Sequence, residues 1–130
     1  MTQTQTCEKH RKFIVMVSTA AKGGMRSVVD AYRRDGLFEH YHIRLLFSHD
    51  DGSIWSRLRL AAEAIATCLV MLLQKQAAVF HLHVSMYGSF WRKAIIARMA
   101  TAFRVPVIMH LHGSNLHVFF DRQPLWRKRI

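Results

Sequence analysis

Cysteine is scarce in this chain of 130 residues: Cys7 and Cys68 are its only two. One lies in a polar tail and the other in an apolar helical stretch. Neither a disulfide framework nor a thiolate metal motif follows from that spacing, and a reducing, cytosolic setting is the expectation. Acid is scarce too. Only 8 Asp and Glu stand against 19 Lys and Arg, for a net charge of +11. That imbalance predicts attraction to something acidic: nucleic acid, an anionic membrane surface or a phosphorylated ligand. Long apolar runs are missing. The longest tract, Leu60 to Leu73, is interrupted by Glu63 and Thr67 and falls short of the ~20 residues of a membrane span. The run Phe13 to Val17 is shorter than the about 7–15 residues of a signal-peptide core. Several catalytic signatures are also absent. There is no Gly-x-Ser-x-Gly elbow, and neither cysteine has a convincing base partner, which removes support for a nucleophilic triad. Lys22 precedes Gly23-Gly24 and no Gly-Lys-Ser/Thr follows, so the turn is not a Walker loop. Nor is it a Gly-x-Gly-x-x-Gly fingerprint.

What remains is a chain with the makings of one domain. Hydrophobic residues make up 51% of it, which excludes wholesale disorder. Residues 1–12 read as a polar, basic tail ending in Lys9-His10-Arg11-Lys12. The domain proper is expected over 13–130. Phe13 to Val17 is continuously apolar, the pattern of a strand covered on both faces. Met25, Val28, Val29 and Tyr32 then recur at helical spacing until Gly36, and Leu37-Phe38 are expected to pin an exit loop. His42 to Phe47 reads as a second strand. A polar loop with an Asp51-Gly52 turn leads to a helix over about Trp55 to Gln76, with Leu58, Ala61, Ala62, Ile65, Leu69 and Leu72 as its inner stripe. Ala78 to Val84 is a third strand. A helix over about Phe90 to Phe103 follows, with Ile95, Ile96, Met99 and Phe103 inward. Pro106 opens a fourth strand through His112, where proline is tolerated. Asn115 to Asp121 reads as loop or short helix, and Pro124 suits the first turn of another helix. Strict alternation of strand and helix predicts an α/β fold: an open parallel sheet with helices on both faces.

In such a sheet ligands bind beyond the carboxyl ends of the strands. The loops Ser18 to Gly24, Ser48 to Ser53, Ser85 to Ser89 and Gly113 to His117 leave those ends. Gly23-Gly24, at a strand-to-helix turn, allows close approach of a ligand and presents unpaired N–H groups to an anion. Ser85, Gly88, Ser89, Arg92 and Lys93 form a second phosphate-like setting, against which stands the plainer reading of a solvated basic helix face. His81 and His83 share one side of their strand, as do His110 and His112. Imidazole pairs at that spacing suit a metal, but no carboxylate or thiol is placed to complete the shell. The competing reading is polar residues lining a cleft, with His112 beside Gly113 the best candidate. Trp126 with Arg127-Lys128-Arg129 fits a membrane surface or an exposed helix face.

Three stretches taken together resemble a known family. They are Lys22-Gly23-Gly24-Met25 with Val28, Val29 and Tyr32, then His81-Leu82-His83-x-Ser85-x-x-Gly88-Ser89-Phe90-Trp91-Arg92-Lys93, then His110-Leu111-His112-Gly113-Ser114. Their order and spacing are similar to the N-terminal domain of GT-B glycosyltransferases of family 4, the bacterial exopolysaccharide and lipopolysaccharide type. The resemblance runs from about Phe13 onward. It implies a Rossmann-like, acceptor-side half of a retaining glycosyltransferase. A nucleotide-sugar donor serves as substrate, and no metal or other cofactor is expected. By the same resemblance Gly23 and Gly24 touch the donor diphosphate, and His112 is the catalytic residue near the transferred sugar. His83, Ser85, Gly88, Ser89, Arg92, Lys93, Gly113 and Ser114 then line the acceptor side of the cleft. The Glu-x7-Glu segment of the family's donor domain is absent from these residues. The expectation is a truncated or split enzyme, inactive alone, whose partners are a C-terminal domain or complementing chain, a lipid-linked or saccharide acceptor, and an anionic membrane surface. That places it in the cytoplasm, peripheral at the inner membrane. Trp55, Met86, Trp91 and Phe119-Phe120 supply apolar loop residues for such an acceptor. Two further readings compete. One is a non-enzymatic, basic α/β nucleic-acid-binding domain, which net charge favours but no recognised motif supports. The other is a remnant without function.

Overall fold

The computed structural model describes residues 12–129. The polar tail therefore lies outside the described residues except for Lys12, and Cys7 lies outside with it. The chain begins with β1 (Phe13–Ser18), followed by α1 (Gly24–Arg34), a single turn of helix α2 (Leu37–His40), and β2 (Ile43–Phe47). It continues through α3 (Ile54–Leu73), β3 (Ala77–Val84), α4 (Gly88–Ala102) and β4 (Val107–Leu111). Two short helices close it, α5 (Leu116–Asp121) and α6 (Leu125–Lys128). All strand pairs are parallel, in the order β2-β1-β3-β4.

That order fixes where the helices sit. The connection from β1 to β2 steps one way along the sheet, while those from β2 to β3 and from β3 to β4 step the other way. Each crossover is right-handed in nearly all proteins. Hence α1 lies on one face and α3 and α4 on the opposite face. The fold is α/β, with an open all-parallel sheet and helices on both faces.

The two faces differ in composition. Val15 and Val17 of β1 and Phe80, Leu82 and Val84 of β3 form one buried cluster with Cys68, Met71 and Leu72 of α3 and Ile96 and Ala100 of α4. Each large side chain removed from water there contributes about 1.5–3 kcal/mol. Burial also pushes the Cys68 thiol up to about 12, so this cysteine acts as a small apolar filler. The opposite face carries Met16, His81 and His83, with Val29 and Tyr32 of α1 above.

The helix stripes differ from the sequence expectation. In α3 the buried residues are Ala64, Cys68, Met71 and Leu72, whereas Leu58 and Leu69 are exposed. In α4 they are Lys93, Ile96 and Ala100, while Ile95 and, just past the helix end, Phe103 are exposed. Apolar residues lie on more than one side of each helix, with Leu58, Leu69, Val70, Leu73 and Ile95 exposed, so the neighbouring strands choose the buried stripe. Leu37-Phe38 belong to α2 rather than to a loop. At the β4 edge Ile108, Met109 and Leu111 are exposed. No helix among the described residues is long and apolar enough to cross a membrane.

Candidate functional site: a basic cleft at the sheet's switch point

β1 and β3 are neighbours whose onward connections leave toward opposite sides of the sheet. Their carboxyl-end loops cannot close over each other, and a crevice opens between them. Here the crevice is a cleft of about 440 Å³. One wall is the β1–α1 loop with Lys22, Gly23 and Gly24. The other is Ser85 to Ser89 with Arg92, and His49 and Arg57 form the side.

Both helices that open onto the cleft start without a side-chain cap and without an acidic residue in the first turn. Their first N–H groups and the positive ends of their dipoles are therefore available to an anion. The paired glycines are unlike each other. Gly23 has φ 142°, which only glycine adopts without strain, while Gly24 is the first residue of α1. At Tyr87, which caps α4, φ is 56° and ψ is −131°. A non-glycine residue held there is strained. It forms part of the cleft wall.

The cleft's charge is one-sided. Among the described residues lining it are Lys22, His49, Arg57 and Arg92, and none of those described is Asp or Glu. The nearby acids are engaged in shaping the loop. The Asp51 carboxylate accepts the Lys22 N–H at 3.1 Å. That of Asp50 accepts the Gly52 N–H at 3.1 Å and the Ser56 hydroxyl at 2.6 Å. Two buried nitrogens of the cleft, Arg92 Nε and His49 Nδ1, have no hydrogen-bond partner among the described residues. Burial, and then the Arg92, Arg57 and Lys93 charges, hold His49 below its ordinary value. Burial, and then Arg57, also lower Arg92. Clustered cations that depress each other are relieved by an anion between them.

Lys93 lies behind this wall rather than on a solvated face. It is fully buried, and its Nζ donates to Ser89 Oγ at 3.3 Å. The same hydroxyl accepts the Ser85 N–H at 3.2 Å. Burial, with Arg92 adding to it, brings the Lys93 ammonium down to about 7.

The structure thus separates the candidate residues. Gly23, Gly24, Ser85, Gly88, Ser89 and Arg92 come together in the cleft. His83 and His112 instead join His81 and His110 on the α1 face of the sheet. His83 Nδ1 and His112 Nε2 are 2.9 Å apart, and the imidazoles of His83 and His110 approach to 4.8 Å between centroids. Gly113 borders an apolar groove with Phe90, Leu111, Leu116 and Phe120, and Ser114 is exposed. A further cavity of about 710 Å³ adjoins the cleft through Met86, Tyr87 and Gly88. Trp91, Phe119, Arg122 and Arg127 line it, with the Arg127 guanidinium 5.6 Å from the Trp91 ring centre.

Arg57 and His49 were not singled out by the sequence pattern, because no motif joins them to the glycine turn. A basic residue one turn into a helix that leaves a strand's carboxyl end was the available signal for Arg57. No family model, curated protein or solved structure matches the chain.

Proposed function

We propose that this chain is the acceptor-side half of a retaining, nucleotide-sugar-dependent glycosyltransferase, and that its own part in the reaction is to hold the donor's diphosphate in the switch-point cleft. The observation that carries the reading is the acid-free cleft between two uncapped helix starts, with Arg57 and Arg92 facing it and unpaired by any carboxylate among the described residues. A diphosphate matches that donor set. Backbone N–H groups at Gly24 and Gly88 suit its oxygens, and two guanidiniums neutralise its charge. In sugar transfer negative charge builds on the leaving diphosphate, so fixed donors there stabilise the transition state more than the ground state. The order of the three sequence motifs supports the assignment to sugar transfer within the wider class of phosphate binders. The aromatic and cationic cavity beside the cleft suits an amphipathic acceptor such as a lipid-linked saccharide, with Trp91 and Phe119 against its apolar part and Arg122 and Arg127 near its phosphate. His112 lies outside the cleft lining and is assigned no step.

Calorimetry at fixed ionic strength tests the reading. A nucleoside diphosphate binds the full chain at least ~10-fold more tightly than inorganic phosphate, and Arg92→Gln weakens it by about 10–100-fold, the value of a charge-assisted contact. Absence of diphosphate binding, or binding of any polynucleotide that tracks salt alone, overturns it. A radiolabelled transfer assay on the chain by itself gives no turnover. Turnover without a donor domain would refute the half-enzyme assignment.

A further inference from the structure

The α1 face of the sheet holds a feature that diphosphate binding leaves unused. β3 and β4 pair with His81 opposite Ile108 and His83 opposite His110. Parallel strands stand about 4.8 Å apart, and residues two apart share a face. That register therefore gathers His81, His83, His110 and His112 on one side. One nitrogen from each of His81, His83 and His110 lies within 4.8 Å of the other two. His83 is fully buried. Its Nδ1 is occupied by His112 at 2.9 Å, and its Nε2 is buried with no hydrogen-bond partner among the described residues. A buried polar nitrogen left unpaired costs about 1–3 kcal/mol.

We propose that His81, His83 and His110 bind a divalent transition-metal cation, zinc being the best match, with His112 as the positioning residue behind His83. An all-imidazole set excludes the hard cations calcium and magnesium, which take oxygen ligands, and suits zinc, copper or nickel. A metal on His83 Nε2 satisfies the orphaned atom, and the His83–His112 bond then fixes the tautomer. Metal-bound histidines are held in this way by a partner on the other ring nitrogen. Tetrahedral zinc at Zn–N 2.0–2.1 Å needs its nitrogens about 3.3 Å apart, so the rings of His81 and His110 must turn inward on binding. Both are only half-buried, so neither ring is fully enclosed. Three protein ligands leave the fourth position to water, the arrangement of an open rather than a closed zinc site. None of the three ligands lines the basic cleft, so this site stands or falls independently of diphosphate binding.

The test uses the full chain stripped with a chelator and titrated with zinc chloride or cobalt chloride alone. One equivalent of zinc is expected to bind and raise the melting temperature. Cobalt should give the intense visible bands of tetrahedral coordination. His83→Ala and His110→Ala each weaken zinc binding at least ~100-fold, and His112→Ala weakens it by about 10–100-fold through lost positioning. The exposed His117→Ala leaves it unchanged. Should His83→Ala fail to fold, the half-buried His110→Ala carries the same comparison. Binding weaker than ~0.1 mM, an octahedral cobalt spectrum, or losses in His110→Ala no larger than in His117→Ala overturn the proposal.

Discussion

The two faces of the central sheet are built from the same strands and serve different ends. Under α3 and α4, successive inward positions of β1 and β3 are Val15, Val17, Phe80, Leu82 and Val84. Under α1, the alternate positions of β3 are His81 and His83, and β4 adds His110. One face buries hydrocarbon and supplies stability. The other buries Met16 and His83 and leaves His81 and His110 half-exposed beside them, imidazoles that stabilise little on their own and are open to chemistry. A single strand can do both because its side chains alternate with period two. Burial, with neighbouring imidazoles adding to it, pushes His83 down to about 3 and also lowers His81 and His112. At neutral pH these rings are therefore uncharged, which lets them sit together.

The largest expected effect attacks the apolar face. Phe80→Ala should cost about 3–5 kcal/mol, while His81→Ala on the adjacent position should cost under ~1 kcal/mol. Urea denaturation with matched slopes measures both. Equal losses would erase the distinction between the faces.

Lys93 is the exception within the apolar side, since it shares the buried stripe of α4 with Ile96 and Ala100. Burial brings its ammonium down to about 7 in the folded chain, from the ordinary lysine value of 10.5. Between those values the unfolded chain holds a proton that the folded chain has released, so stability rises with pH across that window. Below pH 7 the penalty of the buried charge is complete. Lys93→Met is expected to flatten the slope between pH 7 and 10.5 and to raise stability at pH 6 by about 2–4 kcal/mol. Melting temperatures measured across that range check it, and an unchanged slope would place the titration elsewhere.

The smallest effect separates the two glycines of the cleft. No atom of the described residues would crowd a Cβ at either one, so backbone conformation decides. Gly23→Ala must hold φ 142° and should cost about 1–2 kcal/mol. Gly24→Ala should change stability by less than ~0.5 kcal/mol, so any loss of diphosphate binding in that variant reports ligand approach alone. Thermal melts beside calorimetry distinguish the two.

Much of this was legible in the chain. Alternating apolar runs and glycine stops gave the element order and the parallel sheet, and the loop positions followed from that order. The helix stripes were less legible: Leu58 and Leu69 fit the period of α3 as well as Ala64 and Cys68 did. Arg57 could not be tied to Gly23 by spacing, since they meet only because β1 lies between β2 and β3. Lys93 reads as a surface charge until α4 is rotated onto the sheet. The histidines are the sharpest case. Spacing puts His81 with His83 and His110 with His112, but a one-residue slip of β4 would send the second pair to the other face.

By itself, then, the sequence determined what is local: strand and helix periods, the glycine turn, and the basic, acid-poor loops at the carboxyl ends of the strands. Tertiary structure alone decided which loops face each other, which cations are buried and which imidazoles touch. These depend on strand order and register, and both are set by the burial of whole faces against distant parts of the chain rather than by any residue's neighbours in sequence.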